Sequence, residues 1–204
     1  MISQTAIIHD NVKIGRNVTI EDFCIIGCPP RGTKSGELTT IIGDNAHIRS
    51  HTVIYAGNEI GNGFQTGNKV NIRELNHIGD DVSVGTLSVI EHHITIGSGS
   101  RIHSQAFIPE WCQIESNVWI GPNVVLTNAR YPASAEAKNN LKGVRLGNGA
   151  KIGANTTILP GINVGQDALV GAGSLIAKDI PAGEIHFGSP ATFRGFVKDI
   201  SAYD

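Results

Sequence analysis

The chain has 204 residues, 40% hydrophobic and 17% charged, with 16 basic and 18 acidic side chains giving a formal net charge of −2. That length fits one domain, the near-neutral balance excludes an electrostatic footprint for nucleic acid or an anionic membrane, and no apolar run approaches the roughly 18 residues of a membrane span. An odd cysteine count (Cys24, Cys28, Cys112) argues against a disulfide framework, and the N-terminus lacks a basic-then-apolar leader, so a reducing, cytoplasmic setting is expected.

Aromatic residues make up only 5% of the chain while glycine reaches 25 residues. Such a composition cannot build an ordinary bulky core, so apolar surface must be buried by repetition. In chain order, the first repeat signal is Ile8, Ile14, Ile20 and Ile26, spaced six apart. Residues 27–39, GCPPRGTKSGELT, then interrupt it as a Pro/Gly-rich loop. From Ile42 to Leu126 the six-residue step meets an aliphatic side chain at fourteen of fifteen positions, Thr66 being the lapse. A second, polar excursion follows at 127–145, and the period resumes at Leu146, Ile152, Ile158, Val164, Val170 and Ile176.

A period of six suits neither an amphipathic helix nor an alternating strand. It suits short strands joined by corners, three to a triangular turn of eighteen residues. The i+18 column Ile42, Ile60, Ile78, Ile96, Ile114 supports this, with Gly43, Gly61, Gly79 and Gly97 following its first four members. Those glycines are expected to supply a corner with positive φ. The prediction is an all-β parallel β-helix over 1–180, with loops at about 27–39 and 127–145. Residues 181–204 are expected to form a cap: a strand, a Gly-Ser-Pro turn and a short helix near 190–200, covering an otherwise open sheet end.

With these features the chain resembles the hexapeptide-repeat acyltransferases. The stretch from Gly153 to Ala191, GANTTILPGINVGQDALVGAGSLIAKDIPAGEIHFGSPA, is similar to their acyl-CoA-binding end. NIRE at 71–74 and IESNVWIGPNVVLTNARYP at 114–132 resemble N-acyltransferases, most often N-acetyltransferases, of nucleotide-linked amino sugars used in surface-glycan synthesis. The resemblance implies a left-handed coil, an acetyl-CoA or other acyl-CoA co-substrate, no required metal, and a homotrimer with sites between subunits. It implies CoA contacts at Gly153, Ala154, Gly171, Ala172, Lys178 and Arg194 and marks Arg73 and Glu74 as site residues; Asn68, Arg73 and Glu110 are the expected substrate contacts. Asn68 stands where relatives often have histidine, and Leu87 where they commonly have asparagine. Other acceptors (a hydroxyl, another small amine) and a non-catalytic scaffold are the alternatives.

Amide formation from a thioester needs a base for the amine proton. The i+18 rule stacks Glu74, His92 and Glu110 in successive turns, followed by Asn128. A carboxylate beside an imidazole orients it and favours its charged form, which makes His92 the first candidate base, with Glu74 or Glu110 as its orienter. His103, below Gly85 and Gly67, is the second candidate. Arg73 is expected either to hold a diphosphate or to pair with Glu91. His93 beside Trp111 reads as packing. A zinc hydratase on such a fold would need a histidine pair five apart and a third histidine 36 residues before its first member, and no histidines here are so spaced.

Overall fold

The computed structural model describes residues 1–203. The chain winds as a left-handed parallel β-helix whose strands form three sheets of nine, eight and ten strands. Up to Leu175–Ile176, successive strands fall on the nine-, eight- and ten-stranded faces in turn, and each pairs in parallel with the strand one turn away. On the nine-stranded face Ile54 pairs with Ile72, Ile72 with Ile90 and Ile90 with Ile108.

Most strands are two residues long, one side chain inward and one outward, so a single aliphatic per hexad carries the core. The Ile42–Ile60–Ile78–Ile96–Ile114 column is buried throughout, as is every ladder position from Ile42 to Leu126. Each such side chain contributes about 1.5–3 kcal/mol of burial before ordering entropy is charged. The lapse at Thr66 is matched by Phe64, fully buried two residues earlier, so bulk is exchanged between neighbouring inward positions. The Thr66 hydroxyl is satisfied by the Arg49 amide at 2.9 Å.

The corner glycines act differently from expectation. Gly43, Gly61, Gly79 and Gly97 do not have positive φ; that conformation falls two residues later, at Asn45, Gly63, Asp81 and Gly99. The four glycines are required by close approach instead. A Cβ on Gly43 would lie 2.6 Å from Gly61 backbone, and one on Gly97 would lie 2.5 Å from the Ser116 amide nitrogen.

Both excursions leave from the same corner, where the nine-stranded face turns into the eight-stranded one. Strands extend to Cys28 and restart at Thr40 around the first; Arg145 is already in a strand after the second, which contains a single 3-10 turn at Ala137–Asn140. The cap also departs from the reading above. A strand at Glu184–Gly188 and a turn at Ser189-Pro190 are present, but Ala191–Phe196 is a second strand, antiparallel to the first, and only 3-10 turns follow, at Val197–Asp199 and Ser201–Tyr203. The reason is an open sheet edge. Thr192, Phe193 and Phe196 favour extended backbone, and the Glu184–Gly188 strand, itself paired to Leu169–Val170, offers an open edge that this hairpin fills.

Candidate active site

The corner between the nine- and eight-stranded faces, here the histidine corner, stacks Arg73-Glu74, Glu91-His92-His93 and Glu110-Trp111 in successive turns. Beneath it runs a ladder of buried asparagines. Asn58 and Asn76 both donate side-chain hydrogen bonds to the Arg73 carbonyl, at 2.7 and 2.8 Å, and Asn76 Oδ1 accepts from the Ile94 amide at 2.8 Å. The backbone that presents Arg73 and Glu74 is therefore held from inside the coil, by residues the sequence reading passed over.

Arg73 is fully engaged. Its guanidinium makes two hydrogen bonds to the Glu74 carboxylate, at 2.9 and 3.0 Å, lies 3.6 Å from Glu91 and sits over the Tyr55 ring at 5.0 Å. Of the two earlier expectations for Arg73, the pairing with Glu91 is present, with Glu74 added. Partial burial alone would raise the Glu74 pKa, but the Arg73 bonds and charge outweigh it and hold it below the ordinary carboxylate value.

Glu74 thus turns to Arg73, and Glu110 is the carboxylate beside His92, with Oε1 3.6 Å from Nε2. The other Glu110 oxygen accepts from Asn128 Nδ2 at 2.6 Å, so the second excursion begins by orienting this carboxylate. On its opposite edge His92 Nδ1 lies 2.7 Å from His93 Nδ1. His93 stacks on Trp111, ring centroids 4.5 Å apart, as its packing assignment required, but it is also a hydrogen-bond partner of His92. Burial, followed by the charge of His92, pushes the His93 pKa below its usual value. Glu91, His92 and Glu110 place ligand-type atoms within 4.8 Å of one another. Arg73 is shared between Glu74 and Glu91, which joins the trio to an ion-pair network.

The remaining candidates lie on another corner, between the ten- and nine-stranded faces. Its column reads Arg49, Gly67, Gly85, His103, Gly121, Gly153, Gly171, with Asn68, Ala154 and Ala172 one residue further on. Asn68 and Ala172 are exposed. Trp119, Lys151, Leu169, Gly153 and their neighbours line a groove of about 490 Å³ along its lower half. Phe187 of the cap lies against Gly171, and the Arg194 guanidinium sits over Phe187 at 4.8 Å. Lys178 is separate: it follows Leu175–Ile176 and belongs to the histidine corner. Within one chain the nine-stranded face stands between His92 and the glycine column.

A family model described as bacterial transferase hexapeptide (six repeats) matches residues 77–110 and 143–178. The two matched segments carry the hexapeptide repeat of that family. Among curated relatives, an acyl-[acyl-carrier-protein]–UDP-N-acetylglucosamine O-acyltransferase of Campylobacter concisus is 31% identical over 115 residues, 54% of this chain and 42% of that protein. A dTDP-4-amino-4,6-dideoxy-D-glucose acyltransferase of Escherichia coli is 27% identical over 124 residues, 51% of this chain and 65% of its own length. The chain thus spans less than two thirds of each of these relatives. The crystal structure of Francisella novicida UDP-N-acetylglucosamine acyltransferase superposes with a TM-score of 0.77 at 19% identity, covering 98% of this chain and 71% of the other. It shares the fold.

Proposed function

We propose that this protein is an acyltransferase that moves an acyl group from acyl-CoA to the amine of a nucleotide-linked amino sugar. The observation that carries the reading is the setting of His92, with the Glu110 carboxylate at one ring nitrogen and His93 at the other, on the corner from which both excursions emerge. In the reaction the neutral amine attacks the thioester carbonyl, the C–N bond forms, the C–S bond breaks and CoA leaves as the thiolate. The proton lost from nitrogen passes to His92, and Glu110 steadies the imidazolium that results. The similarity to the E. coli amino-sugar acyltransferase supports the acceptor class.

His92 and the glycine column stand on different corners, so the proposed site takes one corner from each of two copies in a homotrimer. The outward row of the nine-stranded face supports this: seven of its nine residues, Ile7, Ile25, Val53, Val89, Phe107, Val125 and Leu175, are apolar, and only Asn71 and Thr157 interrupt the stripe. Packing that stripe about a threefold axis brings the histidine corner of one copy beside the glycine corner of the next.

The test is a panel of UDP- and dTDP-linked amino sugars assayed for thiol release with acetyl-CoA, longer acyl-CoAs and acyl-carrier-protein thioesters. Acylation of an amine by acyl-CoA is the expected result; no transfer from any donor would overturn the reading. The Campylobacter relative's name favours a second reading, O-acylation from an acyl carrier protein, and the same panel separates the two.

A further inference from the structure

The glycine corner carries two grooves of opposite character, divided by His103. Below His103 lies the groove of Trp119, Leu169 and Gly153 described above. Above it the column offers no side chain for two turns, Gly85 and Gly67, until Arg49 closes the gap. Three rungs at about 4.8 Å put Arg49 and His103 roughly 14 Å apart along the coil. Neither glycine tolerates a Cβ, which would lie 2.3 Å from the Thr86 amide nitrogen at Gly67 and 2.4 Å from that of Ser104 at Gly85, so bare backbone is built into the floor.

This gap is a cavity of about 230 Å³ lined on its face side by Gln65, Ser83 and Arg101. No carboxylate lines it, although the chain as a whole is acidic. Arg49 has a single long contact, 3.5 Å, with Glu21 outside the cavity. Among the described residues, His103 Nε2 is the only buried side-chain nitrogen or oxygen without a hydrogen-bond partner. Orphans of that kind cost about 1–3 kcal/mol and are retained where a site uses them. Burial, then the charge of Arg101, lowers the His103 pKa, so its ring is neutral near pH 7 and competes with neither arginine for an anion.

We infer that the gap between Arg49 and His103 binds a diphosphate group, with Arg49 and Arg101 as its cations and the Ser83 hydroxyl and Gln65 amide as neutral donors. Two forked guanidiniums, one at each end of a carboxylate-free pocket, match phosphate oxygens in charge and hydrogen-bonding geometry. Both molecules in the proposed reaction carry a diphosphate, the nucleotide-linked acceptor and CoA. The gap lies on the opposite side of His103 from the apolar donor groove, which assigns it to the acceptor. The assignment rests on the acyl-transfer reading; the anion site itself does not.

The experiment titrates UDP, inorganic pyrophosphate and CoA calorimetrically into the wild type, Arg49→Ala, Arg101→Ala and, as a charge-removal control, Arg16→Ala, whose side chain lies on a different corner. Arg49 and Arg101 are surface side chains outside the core, so their removal leaves the coil intact. UDP and pyrophosphate should bind the wild type and Arg16→Ala alike, and weaken about tenfold or more in the other two variants, with CoA unaffected. Absence of UDP and pyrophosphate binding to the wild type, or equal binding to all four proteins, overturns the subsite. Weakening of CoA instead of UDP overturns its assignment to the acceptor. A thiol-release assay on the same proteins separates the two failures: UDP binding in the gap without acyl transfer defeats the acyl-transfer reading alone, and transfer with an unchanged acceptor KM in Arg101→Ala defeats the subsite alone.

Discussion

The Nδ1 atoms of His92 and His93 lie 2.7 Å apart. At that distance one ring must present a lone pair to the N–H of the other, so the two imidazoles share one proton on this side. His93, with its pKa lowered by burial and by His92, is the ring that stays neutral. A His92 that gains a proton therefore has an acceptor already in place at Nδ1 and a carboxylate beside Nε2.

His92→Asn is expected to lower kcat about 100-fold or more while leaving the KM for the acyl donor nearly unchanged. His93→Phe keeps a ring on Trp111 and removes only the shared hydrogen bond; a smaller loss in kcat, about tenfold, is expected. Steady-state kinetics with both substrates varied checks the pair. Near-native kcat in His92→Asn would move the proton's destination to His103 or the departing thiolate.

The Arg73–Glu74 pair gives stability a defined pH dependence. The folded Glu74 pKa lies below its reference value of 4.5, so the unfolded chain takes up the proton first as pH falls. The contribution is complete above about pH 4.5 and is lost as pH drops through the lower folded value. Thermal melts of wild type and Glu74→Gln should differ most at neutral pH and converge in acid. A difference that grows on acidification would contradict the pairing.

Asn76 links the core to the site. Asn76→Ala removes the acceptor for the Ile94 amide and one of two donors to the Arg73 carbonyl. Stranding the Ile94 amide and losing one of the two bonds to the Arg73 carbonyl should together cost about 2–4 kcal/mol, read from urea denaturation. The loss should be accompanied by lower activity, since the Arg73 and Glu74 backbone is then held by Asn58 alone.

Phe107 stands on the outward row of the nine-stranded face, paired with Val89 and Val125. Phe107→Glu leaves the coil interior untouched and places a charge in the proposed threefold contact. Light scattering should change from trimer to monomer, with loss of acyl transfer. A trimer that survives the substitution would place the contact on another face.

The division of the site between copies has its own test. Ala172→Trp blocks the exposed glycine corner, and His92→Asn disables the histidine corner; each homotrimer should be inactive. Unfolding and refolding an equal mixture should restore about a quarter of the sites, because one subunit interface in four then joins two native corners. No recovery in refolded mixtures would mean that a single chain supplies both corners.

The coil was legible in the sequence because one inward aliphatic every six residues leaves little freedom: with strands so short, shifting a hexad by one position would turn its isoleucine to solvent. The i+18 rule likewise placed Glu74, His92 and Glu110 on one corner, and Gly67 and Gly85 above His103. What a column cannot say is which neighbour a flexible charged side chain chooses. Glu74 turns along the chain to Arg73 because two guanidinium bonds outweigh one imidazole contact, and that leaves His92 to Glu110. The period also treats all corner glycines alike, whereas Gly43 and Gly97 are set by backbone approach and Gly63 and Gly99 by positive φ. The cap and the apolar stripe lay outside the periodic signal. Extended pairing at Ala191–Phe196 depends on an open sheet edge that local propensity does not see, and the stripe emerges only when outward residues eighteen apart, and further across the excursions, are brought into register on one face.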